Sequence, residues 1–137
     1  MLPGTLIEFR DFPTVTQDQL RAYAKASGDF NPIHLDPAVA AKVGLPGVIA
    51  HGMLIAAYLA ERAQQVVRDH AEFGSFKMTQ FQTRFKAMTL LGDTPNVGGT
   101  IKDANGETLV LELQAKNQRG EVTTLAAVKF QKIVSVV

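Results

Sequence analysis

The sequence predicts an α+β fold, with a long buried helix lying against an antiparallel sheet, and three observations carry that expectation. Helix signals fill the first half of the chain and strand signals the second, an order that belongs to α+β architectures. Over residues 52–70 nothing after Gly52 breaks the run MLIAAYLAERAQQVVRDH, whose first half is apolar all round, as in a helix surrounded by protein, and whose second half is amphipathic. Beyond Gly74 the pattern changes to alternation, with Phe81, Thr83 and Phe85 on one face against Gln82, Arg84 and Lys86 on the other.

Each element has a local reason. Thr16-Gln17-Asp18-Gln19 fits a capping box, so a first helix is expected over 17–27, with Leu20, Tyr23, Ala24 and Ser27 on its inner face. Gly28 ends it, because glycine takes the left-handed conformation that closes a helix. Asp36-Pro37 starts a short second helix, the carboxylate capping and the proline occupying the first turn, and Gly44 stops it. Three further strands are predicted over 97–102, 108–116 and 122–131. Asn105-Gly106 and Arg119-Gly120 divide them and suit tight hairpin turns, giving a meander.

Composition bounds the function. A chain of 137 residues, 46% hydrophobic and 20% charged, is expected to form one domain over 1–137 with a single core. Fourteen basic against thirteen acidic residues leave a formal charge of +1, no field for a phosphate backbone or an anionic bilayer, so neither nucleic acid nor membrane is an expected partner. Without cysteine there is no disulfide framework, thiol nucleophile or thiolate metal site. The start, MLPGTLIEFRDF, carries no signal-peptide pattern, and a cytoplasmic address is expected. The apolar stretch over 44–60 is broken by Pro46, Gly47, His51 and Gly52, which a membrane helix would not carry together.

Two segments concentrate chemistry. Gly28-Asp29-Phe30-Asn31-Pro32-Ile33-His34-Leu35-Asp36 brings two carboxylates, an amide and an imidazole into one connection. Turn formation alone accounts for many of these residue types. Asp29 and His34, five positions apart in a proline-stiffened loop, are also spaced so that both side chains can converge on one water. Pro46 to Met53 ends in His51-Gly52 at the start of the long helix, where unpaired backbone N–H groups and partial positive charge suit an oxygen that becomes anionic.

These segments together resemble the MaoC-like, (R)-specific enoyl-CoA hydratase and 3-hydroxyacyl dehydratase family of the hotdog fold. The matching residues are Tyr23-Ala24, then Ser27 through Asp36 with its G-D-x-N-P-x-H core, then Ile49-Ala50-His51-Gly52-Met53-Leu54, and more weakly Phe85 with Gly92-Asp93. The resemblance implies an antiparallel sheet wrapped around the central helix and an association of two such units. It also implies reversible addition of water to a trans-2-enoyl thioester, giving the (R)-3-hydroxyacyl thioester. Carried over by position, Asp29 and His34 are the catalytic pair, Asn31 steadies their loop, and Gly52, with His51, forms the oxyanion and substrate-binding side. No metal or cofactor is implied beyond the coenzyme A or acyl carrier protein that forms part of the substrate.

Two departures bear on the acyl tunnel: Ala60 stands where some relatives have serine, and Met88 replaces a proline common after the helix. Arg84, Lys86, Lys116 and Arg119 are candidate contacts for carrier phosphates, although a solvated strand face or turn is the simpler explanation of each. Three functional readings stand beside one another: a homodimeric hydratase or dehydratase, the catalytic subunit of a heterodimer with a second hotdog chain, and an acyl-thioester-binding module without turnover. A thioesterase fits less well, because hotdog thioesterases lack this loop.

Overall fold

The computed structural model describes residues 2–133. In chain order it contains β1 (Leu6–Asp11), α1 (Gln17–Ser27), a 3-10 turn at Pro32–His34, and α2 (Pro37–Lys42). There follow α3 (Gly52–Asp69), a second 3-10 turn at Ala71–Phe73, β2 (Phe76–Phe85), β3 (Asn96–Ala104), β4 (Thr108–Lys116) and β5 (Val122–Lys132). All five strands join one antiparallel sheet in the order β1-β3-β4-β5-β2. Its inner face, with Leu109, Leu111 and Leu113 on β4 and Ala126, Val128 and Phe130 on β5, packs around α3 through Ile55, Leu59, Ala63 and Val66. This is the hotdog arrangement: a sheet curled about one helix whose apolar stripe follows the three-and-four spacing.

The helix boundaries follow the caps. Thr16 accepts the Gln19 N–H at 3.2 Å, and Gly28 closes α1 at φ +80°. The capping box is only half formed, because the Gln19 side chain turns away and donates to the Tyr58 hydroxyl on α3. Ser27, expected on the inner face, is exposed. The first half of α3 is also less enclosed than its composition implies: Met53 and Ala57 lie open on one side.

Two expectations about the sheet need correction. The β2 strand does not neighbour the next strand in sequence but crosses to the far edge, Phe85 pairing with Thr124. Asn105-Gly106 does not make a mirror-image turn, since neither residue takes a positive φ. Instead the Asn105 side-chain oxygen accepts the N–H groups of Glu107 and Thr108, both at 3.0 Å. The turn at Gly120 does use glycine, at φ +82°.

The strand β1 has no counterpart in the sequence reading, and its bulge gives the reason. Ile7 pairs with Gly99 and Arg10 with Val97, so three steps on β1 face two on β3 and the period-two pattern is lost. The Phe9 side chain occupies the space that a Cβ on Gly98 would need, at 2.7 Å, and a Cβ on Gly99 would meet the Glu112 carbonyl at 2.0 Å. Glycine at both places lets the backbones close up. Arg62 of α3, 2% exposed, reaches the bulge and donates to the Glu8 carbonyl from Nε (3.3 Å) and Nη2 (2.8 Å). Burial, and then the neighbouring Arg10 charge, hold the Arg62 guanidinium below its ordinary pKa.

Asp93 ties the segment after β2 to the β4–β5 turn. Its buried carboxylate accepts both Arg119 amino groups (3.0 and 3.1 Å), the Leu90 N–H (2.9 Å) and the Gln118 amide (3.0 Å). Burial pushes the Asp93 pKa up. The Arg119, Leu90 and Gln118 hydrogen bonds outweigh it, leaving the group below its ordinary value of 3.8. A carboxyl depressed in the folded state contributes stability above its unfolded pKa and loses it as pH falls through the folded one. Asp93→Ala, which strips the Leu90 N–H of its acceptor at about 1–3 kcal/mol, should therefore lower Tm by several degrees at pH 7. The gap from wild type should hold down to about pH 5 and narrow below 3.8. Thermal melts of both proteins across about pH 2.5–7 check the sign; a gap that widens on acidification contradicts the assignment.

Candidate active site

The loop leaving α1 is built from its own side chains. Gly28 turns the chain, and the Asp29 N–H donates to Ser27 Oγ (3.2 Å). Asp29 Oδ1 accepts the Asn31 N–H (3.1 Å), and Asn31 Oδ1 accepts the Ile33 N–H (3.2 Å), capping the 3-10 turn that Pro32 opens. Such local bonds are what aspartate and asparagine supply in turns. They fix Asn31 as a loop brace and commit one oxygen of Asp29, leaving Oδ2 facing His34 Nε2 at 3.9 Å.

His34 is buried, whereas about half of the Asp29 side chain is exposed. The His34 Nδ1 lies 2.8 Å from the Ile49 carbonyl. A carbonyl only accepts, so Nδ1 carries the hydrogen, and in the neutral tautomer this leaves Nε2, on the side of Asp29, as an acceptor. Two acceptors thus face each other across a gap too wide for a direct hydrogen bond.

The start of α3 forms the opposite side. Residues 48–50 run antiparallel to 89–91: the Ala50 N–H reaches the Thr89 carbonyl (2.8 Å) and the Leu91 N–H the Val48 carbonyl (3.0 Å). That ribbon delivers His51 as the N-cap residue and Gly52 as the first residue of α3. The Gly52 N–H has no intrahelical partner at this position. Gly52 helps line a cavity of about 180 Å³ together with His34, Ile49, Ile55, Phe85, Met88 and Thr124, among others. The Phe85 ring lies against Gly52, 3.1 Å from where a Cβ would stand.

His51 packs directly against the Asp29–His34 loop. It is 1% exposed, does not line the cavity, and stacks flat on His34 with ring centroids 3.9 Å apart. Its Nε2 donates to the Asp29 carbonyl at 3.0 Å, and Tyr23 tilts against its other side at 4.8 Å. The ring is therefore buried against His34, Tyr23 and the backbone of Asp29; like Asp29, it is not part of the cavity lining.

Asp29, His34 and His51 each offer a ligand atom within 4.8 Å of the others, close enough to be weighed as a metal site. The stack works against one. Imidazole lone pairs lie in their ring planes, and two planes only 25° from parallel do not aim them at a common point.

Of the four candidate cations, two are engaged elsewhere: Arg119 with Asp93, and Lys116 over the Phe9 ring at 4.0 Å. Arg84 and Lys86 are exposed beside Phe85, and neither makes an ion pair among the described residues. Met88 lines the cavity and Ala60 does not. A larger hollow of about 450 Å³ lies on the outer face of the sheet around Gln82, Arg84, Glu112 and Ala127, with no pair arranged for proton transfer. The sequence reading missed the Ile49 carbonyl, a backbone atom without a side-chain signal, and Thr124. The signal for Thr124 is a buried hydroxyl in the inward register of Ala126, Val128 and Phe130.

Comparison with known proteins agrees with this geometry. The family described as MaoC like domain matches residues 2–124. The chain is 33% identical over 117 residues to fatty acid synthase 2 of Mycosarcoma maydis, a match covering 83% of this chain and 3% of that protein. It is 53% identical over 38 residues to an (R)-specific enoyl-CoA hydratase of Aeromonas caviae, 28% of each chain. The chain therefore spans only a small part of the length of these relatives. Among solved structures, a chain of the ChsH1-ChsH2 complex from Mycobacterium tuberculosis superposes with a TM-score of 0.82 over 97% of this chain and 99% of that one, at 14% identity, a likeness of fold. The family match runs through the Asp29–His34 loop, the start of α3 and the sheet as far as the first residues of β5, and the chain belongs to the MaoC-like domain family.

Proposed function

We propose that the protein adds water reversibly to trans-2-enoyl thioesters, giving (R)-3-hydroxyacyl thioesters, with Asp29 and His34 activating the water. The observation that carries this reading is the pair of facing acceptors, Asp29 Oδ2 and His34 Nε2, 3.9 Å apart. One water can donate a hydrogen to each: bonds of about 2.8 Å over that base enclose roughly 90° at the oxygen, near the angle of a water molecule. The family, and a relative named (R)-specific enoyl-CoA hydratase, support the same chemistry.

In the hydration direction the water oxygen bonds to Cβ while the dyad takes its proton. The alkene electron pair moves toward the thioester, placing negative charge on its oxygen, and that charge needs a fixed donor. The Gly52 N–H suits this role, since it is unpaired by position, borders the same cavity as His34 and lies at the positive end of α3. The proton held by the dyad then passes to Cα on the same face. Every step is a proton or electron-pair movement, so the reading calls for no metal or redox group. The thioester carrier is coenzyme A or an acyl carrier protein.

If the two groups act together, Asp29→Asn and His34→Gln should each reduce hydration of crotonyl-CoA by several hundredfold, within the roughly 10²–10⁴ typical of acid–base groups. The double variant should be little worse than either single one. Loss of enoyl absorbance, with circular dichroism to confirm folding, measures this; a folded Asp29→Asn protein at wild-type turnover refutes the dyad. A wild type that binds the thioester without turnover supports the binding-module reading instead.

The Gly52 donor can be separated from the shape of its residue. His51 has φ −59° and ψ 130°, a conformation that a following proline accepts, and the first turn of a helix tolerates proline. Gly52→Pro deletes the N–H, whereas Gly52→Ala adds a Cβ against the half-exposed Phe85 ring and keeps it. Proline should lower kcat by about two orders of magnitude. Alanine should cost far less, and equal losses in the two would assign the effect to bulk.

The active form is a dimer with the acyl group near the subunit boundary. Phe85 and Met88, which line the cavity, and Phe30 and Met53, which follow Asp29 and Gly52 in sequence, are large apolar side chains that are all substantially exposed, and β2 is an open edge. Sedimentation of the chain expressed alone should give a homodimer. A heterodimer with a second hotdog chain is the other arrangement in keeping with this surface, and a neighbour in fold comes from a two-protein complex. An active monomer would contradict both.

A further inference from the structure

We propose that His51 is the positioning residue of the site, holding Asp29 and His34 in register through two different parts of one ring; the inference rests on the hydration reading above. His51 touches no part of the cavity, so it acts only through its neighbours. Its Nε2–H bonds the backbone carbonyl of Asp29 itself, the residue whose carboxylate faces the water position. Its ring face supports His34 at 3.9 Å, and Tyr23 backs it from the other side. His34 is thereby confined between a hydrogen bond at Nδ1 and an aromatic floor, with only Nε2 left to work.

The other nitrogen of His51 argues that the polar ring is kept for this purpose. Nδ1 is buried with no hydrogen-bond partner, an unfavourable state that an apolar ring of similar shape would avoid. The cap position does not require histidine either, because the side chain makes no cap hydrogen bond to α3. What histidine supplies here, and phenylalanine cannot, is the Nε2–H. What it supplies, and glutamine cannot, is the flat face under His34.

Those two contributions can be removed one at a time. His51→Phe keeps the face and loses the donor; His51→Gln places an amide donor near Nε2 and loses the face. Each should lower kcat for crotonyl-CoA hydration by about tenfold to a hundredfold with KM within about twofold of wild type, because misplacement of reacting groups acts on the chemical step. Combined with His34→Gln, either change should have little further effect, since both act on a pair of groups that His34→Gln has already disabled as a unit. ¹⁵N resonances of His34 give a reading independent of turnover: a single Nδ1–H tautomer in wild type, and a tautomer mixture in His51→Gln. Variants with wild-type kcat, or with the same loss in the His34→Gln background, overturn the proposal. Absence of turnover in the wild type itself would refute the hydration reading, and a wild-type His34 tautomer in His51→Gln would then overturn the positioning role separately.

Discussion

The ribbon pairing of residues 48–50 with 89–91 governs the geometry of the site, because it decides where α3 begins. Two backbone bonds to Thr89 and Leu91, and a third from the Ile49 N–H to the Ile33 carbonyl at 3.3 Å, hold this short segment between the loop after α1 and the segment after β2. With the ribbon fixed, the Ile49 carbonyl meets His34, His51 stacks against it, and Gly52 opens α3 at the lining of the cavity. Backbone hydrogen bonds are stiff and directional, so a few of them align groups that are far apart in sequence.

The fold around this junction keeps its polar groups satisfied with few exceptions. Asp93 gathers four donors at the far end of the same segment, and Arg62 closes the bulge of β1 from inside α3. These buried charges are tolerated because each is matched by hydrogen bonds, and they join elements that apolar packing alone would leave free to slide. Among the described residues, Gln19 Oε1 and His51 Nδ1 are buried without partners, and the second belongs to the ring stacked on His34.

The open side of the structure completes this picture. Large apolar side chains at the cavity mouth and the exposed stripe of α3 through Met53 and Ala57 stand where a free surface would be costly. Phe85 and Met88 belong both to this exposed surface and to the lining of the cavity that His34 and Gly52 share.

The elements whose signals are local were legible in the chain alone. The Thr16 cap, the Asp36-Pro37 start, the unbroken run after Gly52 and the alternation from β2 onward each state their structure within a few residues. The G-D-x-N-P-x-H loop was legible in the same way, because the aspartate and asparagine that build its turns are local residues, and the turns bring Asp29 and His34 to 3.9 Å. The remainder emerged only on folding. The bulge hid β1 by breaking its period, and the placement of β2 at the far edge depends on pairing between distant segments. The tautomer of His34 is set by a carbonyl fifteen residues away, and the place of His51 by a ring stack and a bond to Asp29 that no spacing encodes. Local patterns report what a residue prefers; which atoms finally meet depends on how the helix and sheet close on each other, and those long-range contacts exist only once the chain has folded.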